Sequence, residues 1–272
     1  MARAIKPVAD DGAVQQVFYD WGVGSYHDAM YAGITGQGVQ KNIMDAYRYI
    51  VQNYTPGDEL FFFGFSRGAY TVRSLCGMIN NVGLLKRADA NLIQIAFDHY
   101  KRGWPDYAPE GKASIAFRKQ HAHRNSRGVR FVGVWDTVGA TGIPLSFLGM
   151  FENKDEFYDT KLGPNVAVAR HALALNERRV DFQPTLWLQR AEVDLQQVWF
   201  VGCHSDVGGS HGPDEPAGGV LSAIPLKWMV KQASQFGLAV ESHVAKGVKA
   251  DPMASIHESR RTFYRLRERY SR

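Results

Sequence analysis

Three short polar clusters in this 272-residue sequence contain the residue types of nucleophilic catalysis. The first, Gly64-Phe-Ser-Arg-Gly68, matches the pattern G-x-S-x-G between an apolar run and a helical pattern. Such a pattern exposes a serine oxygen on a tight strand-to-helix turn, where the backbone N–H of the next residue, Arg67, helps to hold an oxyanion. The alternative interpretation is a turn serine that only caps a helix. The strand–turn–helix context favours Ser66 as a nucleophile.

The other two clusters offer a base and an acid, because a catalytic serine needs a base and the base needs an orienting group. Asp136 ends one apolar run, and His204 and Asp206 follow the end of another. His257 is a second candidate base near the end of the chain. Both aspartates are also suited to shaping turns, so the residue types alone leave two acid and base assignments open.

Metal binding is the competing chemistry for the third cluster. His204, Asp206, His211 and Asp214 lie within eleven residues, and such sets can bind divalent metals. Their spacing does not match a helical His-x-x-x-His pattern, so we expect no metal and no cofactor.

The segments around these clusters predict an α/β fold, with a mostly parallel sheet flanked by helices. Short, nearly continuous apolar runs are typical of strands buried on both faces of a parallel sheet. They occur before Ser66, Asp136 and His204, and Val14–Tyr19 is a weaker candidate. Helical patterns cover Asn42–Tyr54, Arg67–Ile79, Asn91–Arg102, Lys112–His123, Asn165–Leu175 and Leu221–Phe236. Ligands of parallel sheets bind beyond the carboxyl ends of the strands, so we expect the three clusters to converge there.

The charge of the chain is concentrated at its end. The sequence has 32 basic and 27 acidic residues, and Ser259–Arg272 contains six arginines and one glutamate. The rest of the chain is therefore neutral, which argues against a nucleic-acid-binding body. Two cysteines exclude a disulfide framework and four-cysteine zinc sites. We find no secretory signal or membrane-spanning run and expect a cytoplasmic site of synthesis.

Two segments are candidates for contact with a lipid surface. Ile143–Phe151 is strongly apolar for a loop and suits an acyl-chain pocket or lid, or a buried cover for the sheet. Residues 256–272 predict a basic amphipathic helix, suited either to anionic lipid or to packing on the domain surface. We therefore divide the chain into a domain over 1–255 and this terminal helix, which is either part of the domain or an appendage.

Several segments together resemble a known family. Gly57–Leu75 (GDELFFFGFSRGAYTVRSL), Gly133–Ala140 (GVWDTVGA) and His204–Gly209 (HSDVGG) are similar to signatures of a large group of bacterial and fungal α/β-hydrolase-like proteins. This group includes phospholipase effectors delivered by type VI secretion systems. Ala172–Arg179 (ALALNERR) and Ile256–Ser259 (IHES) are further similarities.

The resemblance implies an α/β-hydrolase-like serine esterase, or a phospholipase A-type enzyme, with a Ser–His–Asp triad. Ser66 corresponds to the nucleophile, and we assign Asp136 as the acid and His204 as the base. The rival assignment takes Asp206 and His257. A non-catalytic relative that binds a membrane or a partner is the alternative function.

The resemblance also sets expectations for completeness and partners. Family members begin with an extra strand that ends in an Asp-Gly-Thr type loop, and this sequence starts after that point, so we expect the first strand to be missing. That loop would supply a second oxyanion donor, a role that Gly22–Ser25 could fill. The expected partners are a lipid or ester substrate, a membrane surface, and a secretion-system or immunity protein, with export that needs no signal peptide.

Overall fold

The computed structural model of the protein describes residues 1–21, 37–102, 105–138, 162–211, 221–243, 249–260 and 271–272. In these residues, four parallel strands form one sheet in the order β1-β2-β3-β4. The strands are β1 (Phe61–Phe65), β2 (Val129–Trp135), β3 (Val166–Ala174) and β4 (Asp194–Phe200). The predicted α/β fold with a parallel sheet is confirmed.

Helices cover both faces of this sheet. They are α1 (Gln37–Asn53), α2 (Arg67–Val82), α3 (Ile93–Lys101), α4 (Lys112–His121), α5 (His204–Gly208) and α6 (Ala223–Gln235). Apolar residues of α1, α2 and α3 pack with Val132 on one face of β2. Met229 and Ala233 of α6 pack with Phe131 on the other face. Neighbouring residues of β2 thus enter different cores, as the alternating side chains of a strand require.

The predicted helix over Asn165–Leu175 is wrong, because this segment forms strand β3. The sequence VAVARHALA contains four alanines that suit a helix, but it lies between β2 and β4 and is buried at eight of nine positions. A strand that is covered on both faces and paired on both edges has no polar face, so it lacks the alternation that identifies a strand. Tertiary packing overrides local propensity at this position.

The weaker strand prediction over Val14–Tyr19 is also wrong. Val14 forms only an isolated bridge with Val8. The side chain of Gln15 binds the backbone of residues 6 and 239, which ties the segment to the chain that follows α6. Within the described part of the chain, β1 consequently pairs with β2 alone.

Two predicted segments fall wholly or mostly outside the described residues. The apolar loop Ile143–Phe151 lies outside them, and so do positions 261–270 of the predicted terminal helix. Residues 256–260, at the start of that predicted helix, have non-helical backbone.

Candidate active site

Ser66 lies on the turn between β1 and α2 with a strained backbone. Its φ of 56° and ψ of −120° lie in a region that a non-glycine residue rarely occupies, at a cost of about 1–3 kcal/mol. The surrounding structure fixes the turn, because the Ser66 N–H donates to the carbonyl of Trp135 in β2 over 3.1 Å. The serine side chain forms no capping hydrogen bond with α2. The geometry therefore does not fit the interpretation of Ser66 as a helix cap.

The first motif glycine permits this turn. A Cβ atom added to Gly64 would lie 2.3 Å from the carbonyl oxygen of Gly68, so only glycine lets the strand and the helix approach so closely. A Cβ on Gly68 would meet nothing within 4 Å. Arg67 is the first residue of α2, and the N–H groups of a first helical turn point beyond the helix end.

Asp136 and His204 form a buried pair at the same edge of the sheet. Asp136 directly follows β2, and its N–H donates to the carbonyl of Ala172 in β3 over 2.7 Å. Its carboxyl Oδ2 lies 2.7 Å from Nδ1 of His204, which begins α5 after β4. Asp136 is fully buried and His204 nearly so. This contact is the one an orienting acid makes with a catalytic base.

The carboxylate of Asp136 has further donors. Its Oδ1 accepts the N–H of Ala174 over 2.9 Å and Nη1 of Arg272 over 2.6 Å, and Nη2 of Arg272 lies 3.1 Å from Oδ2. Burial by itself would raise the pKa of Asp136, but hydrogen bonds from His204 and Arg272 lower it to about 2. Asp136 is therefore ionised at neutral pH.

Aromatic rings confine the imidazole of His204. Its centroid lies 4.5 Å from that of Phe65, the residue before Ser66, and 5.0 Å from that of Phe182. The backbone N–H of His204 donates to Oε2 of Glu177 over 3.2 Å. The ring is thus held beside the last residue of β1, directly before Ser66.

Glu177 and Arg272 are two site residues that the sequence interpretation missed. Glu177 follows β3 and accepts the N–H groups of Arg178 and Arg179 as well as that of His204. Burial opposes its ionisation, but hydrogen bonds from Arg179 lower its pKa to about 2. The ALALNERR similarity pointed to Glu177 without a role, and no signal distinguished Arg272 from the other terminal arginines.

Asp206 and His257 form a second carboxylate–histidine pair. Nδ1 of His257 lies 2.5 Å from Oδ1 of Asp206, and the His257 N–H donates to Oδ2 over 3.2 Å. Oδ2 also accepts the N–H of Cys203 over 2.9 Å, so Asp206 caps the start of α5. Each of the two acid–base assignments therefore corresponds to a hydrogen-bonded pair in the structure. Each pair includes one residue of α5, His204 in the first and Asp206 in the second.

Three side chains of the third cluster bring together atoms of the types that bind metal ions. Ligand atoms of Cys203, Asp206 and His211 lie within 4.8 Å of one another. The ring of His211 stacks on that of His257 at 3.7 Å. Burial raises the pKa of the Cys203 thiol to about 12, which keeps it protonated and a poor ligand. Asp214 lies outside the described residues.

The predicted convergence at one sheet edge matches the geometry. Ser66 follows β1, Asp136 follows β2, Glu177 follows β3 and His204 follows β4.

In the described part of the chain, no helix is both long and apolar enough to cross a membrane.

A parallel sheet covered by helices, with a strained serine turn at the carboxyl end of a strand, defines an α/β-hydrolase-like protein. The chain belongs to the family of type VI secretion phospholipase effectors described as Tle1-like, catalytic domain, which it matches over residues 1–232. The family resemblance noted in the sequence is thereby confirmed.

Two known proteins are similar to parts of the chain. Uncharacterized protein YEL023C of Saccharomyces cerevisiae is 31% identical over 150 residues, which are 53% of this chain and 21% of the yeast protein. A Tle1 effector, solved bound to the VgrG spike of the type 6 secretion system, is 20% identical. That match covers 67% of this chain and 31% of the effector chain with a TM-score of 0.30, a likeness too low to bear on the site. The chain thus spans about a fifth and a third of these two proteins.

Proposed function

We propose that this protein hydrolyses carboxylic ester bonds of phospholipids as a serine-dependent, phospholipase A-type enzyme. Membership of a phospholipase effector family supports the substrate class. The observation that carries the mechanism is the strained Ser66 turn at the edge of the sheet where Asp136 and His204 are paired at 2.7 Å.

In this mechanism, Ser66 Oγ attacks the ester carbonyl while Nε2 of His204 takes its proton. Asp136 accepts the Nδ1 hydrogen and holds the imidazole in the tautomer that a base requires. The N–H of Arg67 supplies one oxyanion contact at the start of α2. The tetrahedral intermediate releases the alcohol, which takes the proton from His204, and water then cleaves the acyl-enzyme by the same steps.

His204 is preferred to His257 as the base because of its contacts. The ring of His204 packs against Phe65, and the backbone N–H of Ser66 binds the residue before Asp136. His257 stacks instead on His211, and both rings approach Oδ1 of Asp206. The Asp136–His204 pair is thus connected by two contacts to the turn that carries Ser66.

The test is hydrolysis of p-nitrophenyl esters and phospholipid vesicles by Ser66→Ala, His204→Ala and Asp136→Asn. We expect the first two variants to lose activity and the third to lose about 10⁴-fold in kcat, because an asparagine supports the wrong tautomer. Ser234→Ala, an exposed serine of α6, is the matched control. Full activity of folded Ser66→Ala would exclude the mechanism.

The competing function, a non-catalytic module that binds a membrane or partner, predicts a different result. A fluorophosphonate probe should label the activated Ser66 of an enzyme, and labelling should disappear in Ser66→Ala. Absence of labelling in the wild-type protein, together with binding to anionic vesicles, would favour the non-catalytic module.

Family membership also supports a proposal on delivery. We propose that the protein is exported by a type VI secretion system without a signal peptide, through a partner of the spike apparatus, and is countered by an immunity protein. Co-purification with the spike proteins encoded in the same genome is the test. Lack of any such complex would count against this route.

A further inference from the structure

Arg272 occupies a buried position that its place in a basic terminal segment does not predict. Its side chain is 1% exposed, whereas basic segments usually keep their charges in water. Its guanidinium donates to both oxygens of Asp136 and to the backbone carbonyls of Ala174 and Phe182. Arg272 is therefore anchored to Asp136 after β2, to the end of β3 and to the segment that follows β3.

These contacts complete the coordination of the Asp136 carboxylate. Oδ1 accepts from Ala174 and Arg272, and Oδ2 accepts from His204 and Arg272. A fork of two N–H groups on one carboxylate fixes the rotation of the carboxylate, and so the direction in which Oδ2 faces the imidazole. Without the fork, the N–H of Ala174 would be its main remaining anchor.

Arg272 also alters the charge balance of the pair. The guanidinium of Arg272 offsets the negative charge of the buried Asp136 carboxylate. Near His204, Glu177 accepts the backbone N–H of His204 and pairs with Arg179, and Asp206 lies two positions further along α5.

We propose that Arg272 is a positioning residue for the Asp136–His204 pair. It aims the carboxylate at the imidazole and offsets the negative charge of the buried Asp136. This inference rests on the proposed catalytic role of Asp136 and His204.

The experiment compares Arg272→Ala, Arg272→Lys and the control Arg190→Ala, whose arginine pairs only with nearby Glu192 among the described ion pairs. We expect Arg272→Ala to lose roughly 10²-fold in kcat/KM, because the carboxylate shifts. The acid limb of its pH–rate profile should move to higher pH, because the positive charge beside Asp136 is lost. Added guanidinium ion should restore part of the activity. Arg272→Lys keeps the positive charge, so the acid limb of its pH–rate profile should stay at the wild-type pH. Lysine lacks the two-pronged contact with the carboxylate, so the variant should not reach the wild-type rate.

A second measurement does not depend on turnover. The NMR titration midpoint of the His204 ring should be higher in Arg272→Ala than in the wild type, because a neighbouring positive charge is removed. An unchanged midpoint and acid limb in folded Arg272→Ala, without guanidinium rescue, would overturn the proposal. If instead the midpoint moves but His204→Ala remains active, the proposed triad fails while the assignment of Arg272 to this pair stands. If Arg272→Ala does not fold, Arg272→Lys provides the test, and a wild-type rate in that variant would overturn the role of the two-pronged guanidinium contact.

Discussion

Asp206 and His257 are joined twice, once through the ring nitrogen at 2.5 Å and once through the backbone N–H of His257 at 3.2 Å. The same carboxylate caps α5 through the N–H of Cys203. This double connection fastens the chain after residue 255 to the short helix that carries His204. It gives Asp206 and His257 a structural task that does not require contact with a substrate.

We therefore expect His257→Ala to be mainly a stability variant. Loss of a buried, charge-assisted partner should lower the free energy of unfolding by about 1–3 kcal/mol. Fluorophosphonate labelling of Ser66 in the folded protein should continue, whereas His204→Ala should abolish it. Urea denaturation and labelling rates measure the two effects. The opposite pattern, with labelling lost only in His257→Ala, would transfer the catalytic role to the Asp206–His257 pair.

The two motif glycines should respond differently to alanine. Gly64→Ala places a Cβ atom 2.3 Å from the Gly68 carbonyl oxygen, so the Ser66 turn must distort and both folding yield and activity should fall sharply. Gly68→Ala is the matched control, because its Cβ is unobstructed and alanine stabilises a helix by about 0.5–1 kcal/mol relative to glycine. Thermal melting and ester hydrolysis of both variants provide the comparison. Equal damage by both substitutions would contradict the close approach as its cause.

A buried histidine should make stability depend on pH. Burial, and next the charge of Arg73, lowers the pKa of His171 from 6.5 to about 3. Its Nε2 accepts the N–H of Thr137, which requires an unprotonated ring. The unfolded chain binds a proton below pH 6.5 that the folded chain binds only near pH 3, so stability falls as pH decreases through this window.

This effect can be isolated with His171→Gln. The slope of unfolding free energy against pH should be up to about 1.4 kcal/mol per pH unit smaller in the variant between pH 6.5 and 4.5, above the window where Glu177 contributes. His243→Gln, with a side chain 75% exposed, is the control and should leave the slope unchanged. Urea titrations at a series of pH values measure it. Parallel curves for His171→Gln and wild type would refute the assignment.

Chelation should leave ester hydrolysis unchanged. The proposed mechanism moves protons among Ser66, His204 and the substrate, and the protonated thiol of Cys203 is a poor metal ligand. Activity should therefore persist after dialysis against EDTA and in Cys203→Ser. Loss of activity on dialysis that Zn²⁺ restores would instead assign a metal to Cys203, Asp206 and His211.

The sequence predicted the parts of this molecule that depend on local patterns. The apolar run before Ser66 and the glycines around it identify a strand, a turn and a helix within twenty residues. β3 was not predicted because burial on both faces removes the alternation that a strand otherwise shows. The residue types therefore located three clusters at strand ends, but they did not identify β3, which lies between β2 and β4 in the sheet.

Pairing at the site depends on long-range contacts that residue types do not encode. Asp136 binds His204, 68 positions later, and Arg272, 136 positions later. Asp206 and His257 present the same chemical pattern, so spacing alone left both assignments open. Two contacts associate the Asp136–His204 pair with the nucleophile turn: the rings of Phe65 and His204 pack together, and the Ser66 N–H donates to the carbonyl of Trp135.

The two thiols of the protein can be used to measure local unfolding. Cys76 lies in α2 and Cys203 caps α5, and both are buried and unbonded to each other. Alkylating reagents can reach them only when α2 or the loop before His204 opens. The rates at which the two sites acquire an alkyl group would therefore time the opening of the nucleophile helix and of the histidine helix separately, in the unmodified chain.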